Sequence, residues 1–555
     1  MYLNIIGVDN FMGKMRFATI YIILLLSMCG ILVRLYYLTD TKNDIAQTAD
    51  THGSLSIKLT TQRGTIYDTK MNPLTNVRDQ YIAAIAPAKN VAPQLAVLIP
   101  HVQSEQTVLT RMQQGNPFIV KVDTKNIICD GIIIADVKQR YSDTSIAPHI
   151  IGYTDNAGNG VAGIEKAYND VLKKGGGDLT AMFKVDALGR TLQGVPCTIT
   201  NSSGNINNGV VLTLDKDIQE YTQKAATKYL KSGAVIVMDP YTGDILSAVS
   251  VPYFNQNNLA LSVNAANFPM MNRVFASYDL GSTFKICLTA AALETGISPT
   301  MTVNCAGKID VSGKEFKCEK EAGHGVLDMA GALSASCNIY YITLGQMLGG
   351  DKILSMANKL GFSQTQSLAP GYTPSAGILP TVNSLKIPAA LANFSMGQGN
   401  FMATPVQVAR MLSAVVNDGK LPTPRLVKGI VGENKQFISQ NNTIAPQSVF
   451  SSNTSQQIRR FLIQTVDSGT GTPARPSIGG AGGKTSTAQS GWLKDGKIIN
   501  QAWFAGFYPA NNPKYVIVVI AEDGKSGGAS AGPVFKDIAD NLARYCGFGE
   551  KDASK

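Results

Sequence analysis

One apolar run constrains everything that follows it. Phe17 to Val33 carries no charge, and Leu35-Tyr36-Tyr37-Leu38 extends the run past Arg34. A helix crosses the hydrocarbon core of a bilayer with about 20 apolar residues, and about 17 mark the lower end. No other run approaches that length, so a polytopic membrane protein is excluded. Lys14 and Arg16 precede the run, whereas Asp40, Lys42, Asp44 and Asp50 follow it. The positive-inside rule then keeps the N-terminus in the cytoplasm and puts the body outside. A cleaved signal peptide is the rival reading. The length of the run and the lack of a small-x-small cleavage site after it favour an uncleaved anchor.

The exported body is long enough for a packed core of several domains, given 555 residues of which 44% are hydrophobic. The net charge of +10 is spread along the chain with no basic block. It therefore points to anionic surroundings only in general, and no nucleic-acid partner is expected. Eight Cys are too few for a disulfide scaffold, and four His make a multi-His metal centre improbable. Cys305 and Cys318 are close in sequence and admit two readings, a disulfide across Ala306–Lys317 or two buried thiols. Zinc there would need two further ligands, and only His324 is near in sequence. No metal and no cofactor are expected.

Residues 39–208 lack a strong period and hold short β-like runs, Tyr81–Ala86 and Gly131–Ala135, with one helix-like stretch, Ile164–Leu172. They end in a polar segment, residues 200–208. From Val210 the pattern changes. Val210–Leu214 reads as a strand and Asp217–Lys231 as a helix closing at Gly233. Ala234–Met238 and Asp244–Val251 read as two strands of a hairpin joined by Pro240-Tyr241-Thr242-Gly243. Tyr515–Ala521 is a β-branched strand, and Val534–Tyr545 a closing amphipathic helix. Strands at both ends with helices between predict an α/β body whose two chain ends share one sheet.

Two attractive motifs fail on context. Gly158-Asn159-Gly160-Val161-Ala162-Gly163 matches a dinucleotide fingerprint, but a polar segment precedes it instead of a buried strand. Gly528-Ala529-Ser530-Ala531-Gly532 matches a nucleophile elbow, but the last His, His324, lies far upstream of it, against the Ser, acid, His order of that fold.

The strong constellation is an ordered set. Ser282 and Lys285 form the single Ser-x-x-Lys of the chain, at the start of the helix-like run Ile286–Thr295, and three residues apart they share one helical turn. A lysine serves as base to a serine when burial or a nearby cation holds it neutral. Ser336-Cys337-Asn338 follows, opening the helix-like Ile339–Leu348; Ser-x-Asn recurs at Ser203, Ser262, Ser439 and Ser451, so alone it means nothing. Lys484-Thr485-Ser486-Thr487 comes last, after a glycine-rich run, with the single Lys-Thr of the chain. Ser-x-x-Lys, Ser-x-Asn and Lys-Thr-Gly in this order are the signature of penicillin-interacting serine acyltransferases.

The chain resembles a class B penicillin-binding protein over roughly residues 10 to 546. Beyond the three motifs, the resemblance rests on Arg63-Gly64-Thr65-Ile66-Tyr67-Asp68 soon after the anchor. It also rests on Arg140-Tyr141, His149–Tyr153, Gly163-Ile164-Glu165 with Tyr168, Ser395–Gly399 and Thr404-Pro405. One departure is Ser486, where most of that family has glycine; a glycine in a strand lets another backbone approach closely. No segment resembles the glycosyltransferase domain of class A enzymes.

The resemblance implies a multidomain α/β (α+β) protein with the penicillin-binding transpeptidase fold, a β-lactamase-like central antiparallel sheet flanked by helices. The expected divisions are a cytoplasmic tail at 1–16, a transmembrane anchor at 17–38, an elongated dimerisation-like non-catalytic pedestal at 39–208, a transpeptidase domain at 209–546 and a tail at 547–555. The implied activity is peptidoglycan D,D-transpeptidation through an acyl-enzyme on Ser282, blocked by β-lactams. Lys285 is the implied base, Ser336 a proton relay, Asn338 a ligand of the substrate amide and Lys484 a cation for the substrate carboxylate that also lowers the Lys285 pKa. Thr485, Ser486 and Thr487 are implied to line the substrate strand, with the backbone N–H groups of Ser282 and Thr487 as oxyanion hole. Implied partners are stem peptides on lipid II-derived glycan and a membrane glycosyltransferase of the SEDS type. The rivals are a D,D-carboxypeptidase or β-lactamase with water as acceptor, and a non-catalytic wall-assembly scaffold.

Overall fold

A computed structural model of the chain describes residues 6–40, 53–87, 91, 95–126, 131–186, 192, 195, 197–202, 205–494 and 496–547. The first five residues, Ser203 and Gly204 of the polar segment, and the expected C-terminal tail apart from Gly547 lie outside the described residues. Helix α1, Ile6–Asp40, contains the apolar run. Its stretch Met15–Tyr37 is long and apolar enough to cross a membrane, and none of it is buried against the protein.

The body divides into two compact units. One comprises, besides the N-terminal segment to Thr60, Gln80–Val137 and Asp178–Ser202. In it, strand Arg78–Ile85 sits between Phe118–Val122 and Ile132–Gln139. Because side chains alternate across a strand, Ala83 and Ile85 enter one core with Leu98 and Val108, while Ile82 and Ala84 enter another with Leu179 and Phe183.

The other unit comprises Thr61–Asp79, Lys138–Gly177 and Ser203–Lys555. The chain-end strands do share one sheet. Strands β1 (Gly233–Met238), β2 (Ile245–Val251), β3 (Gly482–Lys494), β4 (Lys497–Tyr508) and β5 (Tyr515–Glu522) form an antiparallel sheet in the order β2-β1-β5-β4-β3. Val516 pairs with Met238 and Ala521 with Gly233. Every residue of β1 is buried, because both faces of the sheet are covered. Ala234, Ile236, Met238, Val516, Val518 and Ile520 face one core, and Val235, Val237, Ile517 and Val519 the other.

Helices α2 (Lys216–Tyr229) and α7 (Gly532–Tyr545) cover the second face through Ile218, Ala225, Phe535, Ile538 and Leu542. The first face packs against α3 (Lys285–Glu294), α4 (Asn338–Leu348), α5 (Pro405–Val416) and α6 (Ser452–Ser468). A capping box fixes the start of α5, with the Thr404 hydroxyl and the Gln407 side chain serving each other's backbone N–H and Pro405 in the first turn.

Two local expectations are corrected. Helix α2 begins on its Asp215 cap but stops before Gly233, because Leu230 turns extended (φ −103°, ψ 131°). The single helix expected over Ile164–Leu172 is two, Gly163–Ala167 and Asn169–Lys174, broken at Tyr168 (φ −117°, ψ 31°). Nearby, the fully buried Glu165 carboxylate accepts from Arg63 Nε at 2.9 Å, Arg140 Nε at 2.7 Å and Tyr141 Oη at 3.1 Å. A β-carbon on Gly160 would stand 1.9 Å from the Glu165 carbonyl oxygen, so the glycine-rich run is there for close packing. Strand Thr65–Tyr67 joins Gly209–Leu212 in parallel. Together these contacts hold the Arg63 and Glu165 segments in the larger unit.

Candidate active site

The first motif sits on a turn whose backbone favours glycine. Gly281–Phe284 is one turn of 3₁₀ helix that runs straight into α3. Gly281 has φ +58° and donates its N–H to Gly397 O at 2.9 Å. A β-carbon on Gly397 would come within 2.1 Å of the Gly281 carbonyl oxygen, which accounts for the first glycine of Ser395–Gly399. The turn is pinned from below by Phe284, whose ring lies 4.4 Å from that of Phe401 and 4.8 Å from that of Phe394. Trp503 Nε1 of β4 donates to Asp279 O at 2.9 Å. Ser282 stays partly exposed, while Lys285, one turn on, is fully buried.

The second motif follows helix Met329–Ser334. Ser336 takes φ +57°, left-handed backbone that few non-glycine residues adopt. Cys337 then caps α4, its sulfur accepting from Tyr340 N at 3.5 Å. The third motif lies on β3, the edge strand of the sheet, in register with Ala505 through Ala502 of β4. Lys484 is fully buried.

These elements converge on one hydroxyl. Lys285 Nζ donates to Ser336 O at 2.7 Å and to Asn338 Oδ1 at 2.7 Å, and stands 3.5 Å from Ser336 Oγ. Lys484 Nζ lies 3.0 Å from the same Oγ and donates to Thr485 O at 2.8 Å. Burial lowers the Lys285 pKa to about 8, against the pull of Glu319. Burial lowers that of Lys484 well below its ordinary value, with repulsion from Lys285 second. Lys484 is not among the causes that shift Lys285: the repulsion between the two amines falls on Lys484, and desolvation is the leading cause for both. A neutral Lys285 has two N–H donors and one lone pair. Both donors are taken by Ser336 O and Asn338 Oδ1, which leaves the lone pair to accept a proton.

Ser486 and the two threonines divide between the faces of β3. Ser486 Oγ donates to Leu280 O at 2.8 Å, next to the Ser282 turn. Thr485 Oγ1 bonds Thr470 Oγ1 at 2.7 Å, and Thr487 Oγ1 accepts from Gly527 N at 3.3 Å. Thr470 and Gly527 stand outside the three motifs, so motif spacing gave no sign of them. Of the two readings of Cys305 and Cys318, the free thiols hold. All described cysteines are free thiols, and Cys337, hidden as the middle residue of Ser-x-Asn, joins Cys305, Cys318 and His324 with all four ligand atoms within 4.8 Å of one another.

Comparison with known proteins places the same segments. The chain is 31% identical over 440 residues to the stage V sporulation protein D of Bacillus subtilis, covering 75% of this chain and 65% of that protein. It is 29% identical over 406 residues to the peptidoglycan D,D-transpeptidase MrdA of Acinetobacter baumannii, covering 67% and 58%. The chain thus spans less than two thirds of the length of either relative. The crystal structure of the D,D-transpeptidase domain of a peptidoglycan glycosyltransferase from Eggerthella lenta superimposes with a TM-score of 0.63 at 25% identity, over 88% of this chain and 99% of that one. The sequence model of the penicillin-binding protein transpeptidase domain matches residues 233–540, from the first strand of the central sheet to its last helix. That match takes in all three motifs and more than half of the chain, which therefore belongs to the penicillin-binding protein transpeptidase family.

Proposed function

We propose that the chain is a membrane-anchored peptidoglycan D,D-transpeptidase that acts through an acyl-enzyme on Ser282. The observation that carries this is the Ser336 hydroxyl held between two buried lysine amines, of which Lys285 lies one helical turn from Ser282. Lys285 takes the Ser282 proton on its free lone pair, and Oγ attacks the carbonyl between the terminal D-alanines of a stem peptide. The backbone N–H groups of Ser282 and Thr487 hold the oxyanion; one such donor is worth about 3–4 kcal/mol. As the C–N bond breaks, Ser336 passes its proton to the departing D-alanine amine and is recharged from the Lys285 ammonium. An amine of a second stem then attacks the ester carbonyl and gives its proton to Lys285, which returns it to Ser282 Oγ as the ester C–O bond breaks, leaving a new amide bond between the stems. Lys484 supplies positive potential for the terminal carboxylate, and Asn338 binds the substrate amide. Because β3 is an edge strand, an extended stem peptide can add to it as a further strand.

The same reading makes residues 39–208 a non-catalytic pedestal, puts the N-terminus in the cytoplasm with α1 as the single span, and assigns glycan polymerisation to a separate SEDS-type membrane glycosyltransferase. Crosslinking from residues 17–70 that captures such a protein supports the partner. The test of the chemistry is intact mass spectrometry of the full chain in detergent, with and without penicillin. A stable adduct of one penicillin, absent from Ser282→Ala, is expected. An adduct that survives Ser282→Ala overturns the nucleophile, and rapid penicillin hydrolysis overturns the transpeptidase in favour of a β-lactamase.

A further inference from the structure

Beside the Ser-x-Asn turn lies a second cluster that the acyl-transfer chemistry does not use. Cys305 ends strand Val303–Cys305, Cys318 follows strand Lys314–Lys317, His324 precedes strand Gly325–Leu327, and Cys337 caps α4. The three thiols are buried and the imidazole is half-buried. His324 Nδ1 stands 3.6 Å from Cys305 Sγ and 3.5 Å from Cys318 Sγ, and Cys318 Sγ stands 4.0 Å from Cys337 Sγ. Zn–S bonds of about 2.3 Å and Zn–N bonds of about 2.0–2.1 Å on a tetrahedron put sulfur about 3.8 Å from sulfur and about 3.6 Å from nitrogen. The three separations match those edges.

Hydrogen bonding alone explains the cluster poorly. A neutral Nδ1 has one lone pair or one N–H, yet two sulfurs approach it at nearly equal distance. A disulfide is no better, since 4.0 Å between Cys318 and Cys337 is about twice an S–S bond. The surrounding backbone is built for close approach. Gly307 (φ +90°) and Gly323 (φ +77°) lie back to back, and a β-carbon on Gly323 would stand 2.1 Å from Cys305 O. Tyr340 N–H points at Cys337 Sγ at 3.5 Å, the kind of outer-shell donor that steadies a bound thiolate. The spacing Cys-x₁₂-Cys-x₅-His-x₁₂-Cys is symmetrical about the Cys318–His324 step.

We propose that Cys305, Cys318, His324 and Cys337 bind one Zn²⁺ as a closed, tetrahedral structural site that anchors the Ser336–Asn338 turn. Thiolates and imidazole select zinc over the oxygen-seeking Mg²⁺ and Ca²⁺, and four protein ligands leave no open position for catalysis. The ion ties the Val303–Cys305 and Lys314–Lys317 strands to the cap of α4. Asn338 Nδ2 already donates to Lys317 O at 3.2 Å across the same gap. It thereby holds Ser336 in its left-handed conformation between Lys285 and Lys484. The zinc site stands independently of which residue is acylated, because metal content is read without penicillin.

The test is metal analysis of the full chain, purified in detergent without chelators. About one zinc per chain is expected, and Co²⁺ in its place should give the visible ligand-field bands of a tetrahedral thiolate site. Cys305→Ser and His324→Ala should lose the metal and slow penicillin labelling at least about tenfold, a loss of roughly 1.4 kcal/mol. His324→Cys should keep zinc as a Cys₄ site, and Cys197→Ser should change nothing, which separates ligand loss from misfolding. Less than about a tenth of an equivalent of zinc, with none taken up from buffered zinc, overturns the proposal. So do a Cys318–Cys337 disulfide in the purified protein, copper or iron in place of zinc, or zinc that persists in both His324→Ala and Cys305→Ser.

Discussion

The Ser486 hydroxyl stands where a β-carbon on Gly281 would have to go. An ideal Cβ at Gly281 lies 2.5 Å from Ser486 Oγ and 3.1 Å from Ala488 Cβ. The serine therefore fills the floor of the Ser282 turn and fastens it through Leu280 O. Ser486→Gly should lower stability by about 1 kcal/mol, the net worth of one hydrogen bond. Gly281→Ala should slow penicillin acylation by one to two orders of magnitude, through the roughly 1–3 kcal/mol of forced backbone shift. The double variant Gly281→Ala/Ser486→Gly should recover part of that rate. Stopped-flow acylation measures it, and a double variant no faster than Gly281→Ala would remove the steric account.

The acylation rate should follow the proton on Lys285. With its pKa lowered to about 8 by burial, the amine is protonated and useless as a base below that pH and free above it. The second-order rate should rise about tenfold per pH unit on the acid side and level off past about 8. Lys285→Arg, whose guanidinium does not deprotonate, should lose labelling at every pH. A rate that is flat from about pH 6 to pH 9 would exclude Lys285 as the base.

Lys484 should trade stability against chemistry. Replacing a buried charge by a well-packed apolar side chain is often neutral or stabilising by about 1–4 kcal/mol. Lys484→Met should thus melt at the same temperature as the parent or higher, while acylation falls by two or more orders of magnitude as Ser336 Oγ loses its 3.0 Å partner. A variant that melts much lower would show that the amine stabilises the fold.

The Glu165 network should act on stability alone. Glu165→Ala leaves Arg63 and Arg140 without their carboxylate in a buried setting, at a cost of about 3–5 kcal/mol. Thermal melting of the full chain should drop accordingly. Penicillin labelling per folded molecule, measured well below the melting range, should stay near that of the parent.

The three motifs were legible because the chemistry proposed for them restricts residue type: few side chains could do what a serine one turn from a buried lysine would do. The sheet was legible for a different reason. With both faces covered, β1 and β5 read as unbroken apolar runs. Other features hang on contacts that no local pattern encodes. The break at Tyr168 adjoins the close approach of Gly160 to Glu165, and nothing in Ser336 itself announces a left-handed residue. Residues 61–79 and 138–177 cluster with the larger unit because of partners about 100 residues away in sequence, as Arg63 and Glu165 are. Cys337 was overlooked for a simpler cause, since the Ser-x-Asn pattern treats its position as arbitrary.

The strand order has a consequence for when the three motifs come together. Strand β3, with Lys484, connects to β1 only through β4 and β5, and β5 finds its place against β1 about 280 residues after β1 is made. Chains are synthesised N-terminus first, so the Ser282 turn exists long before the amine that faces it can be seated. A nascent or clipped chain that ends before Tyr515 would hold all three motifs and still lack the template that assembles them. Under the proposed function, the site would be completed late and all at once, with the last strand acting as the latch on an unfinished molecule.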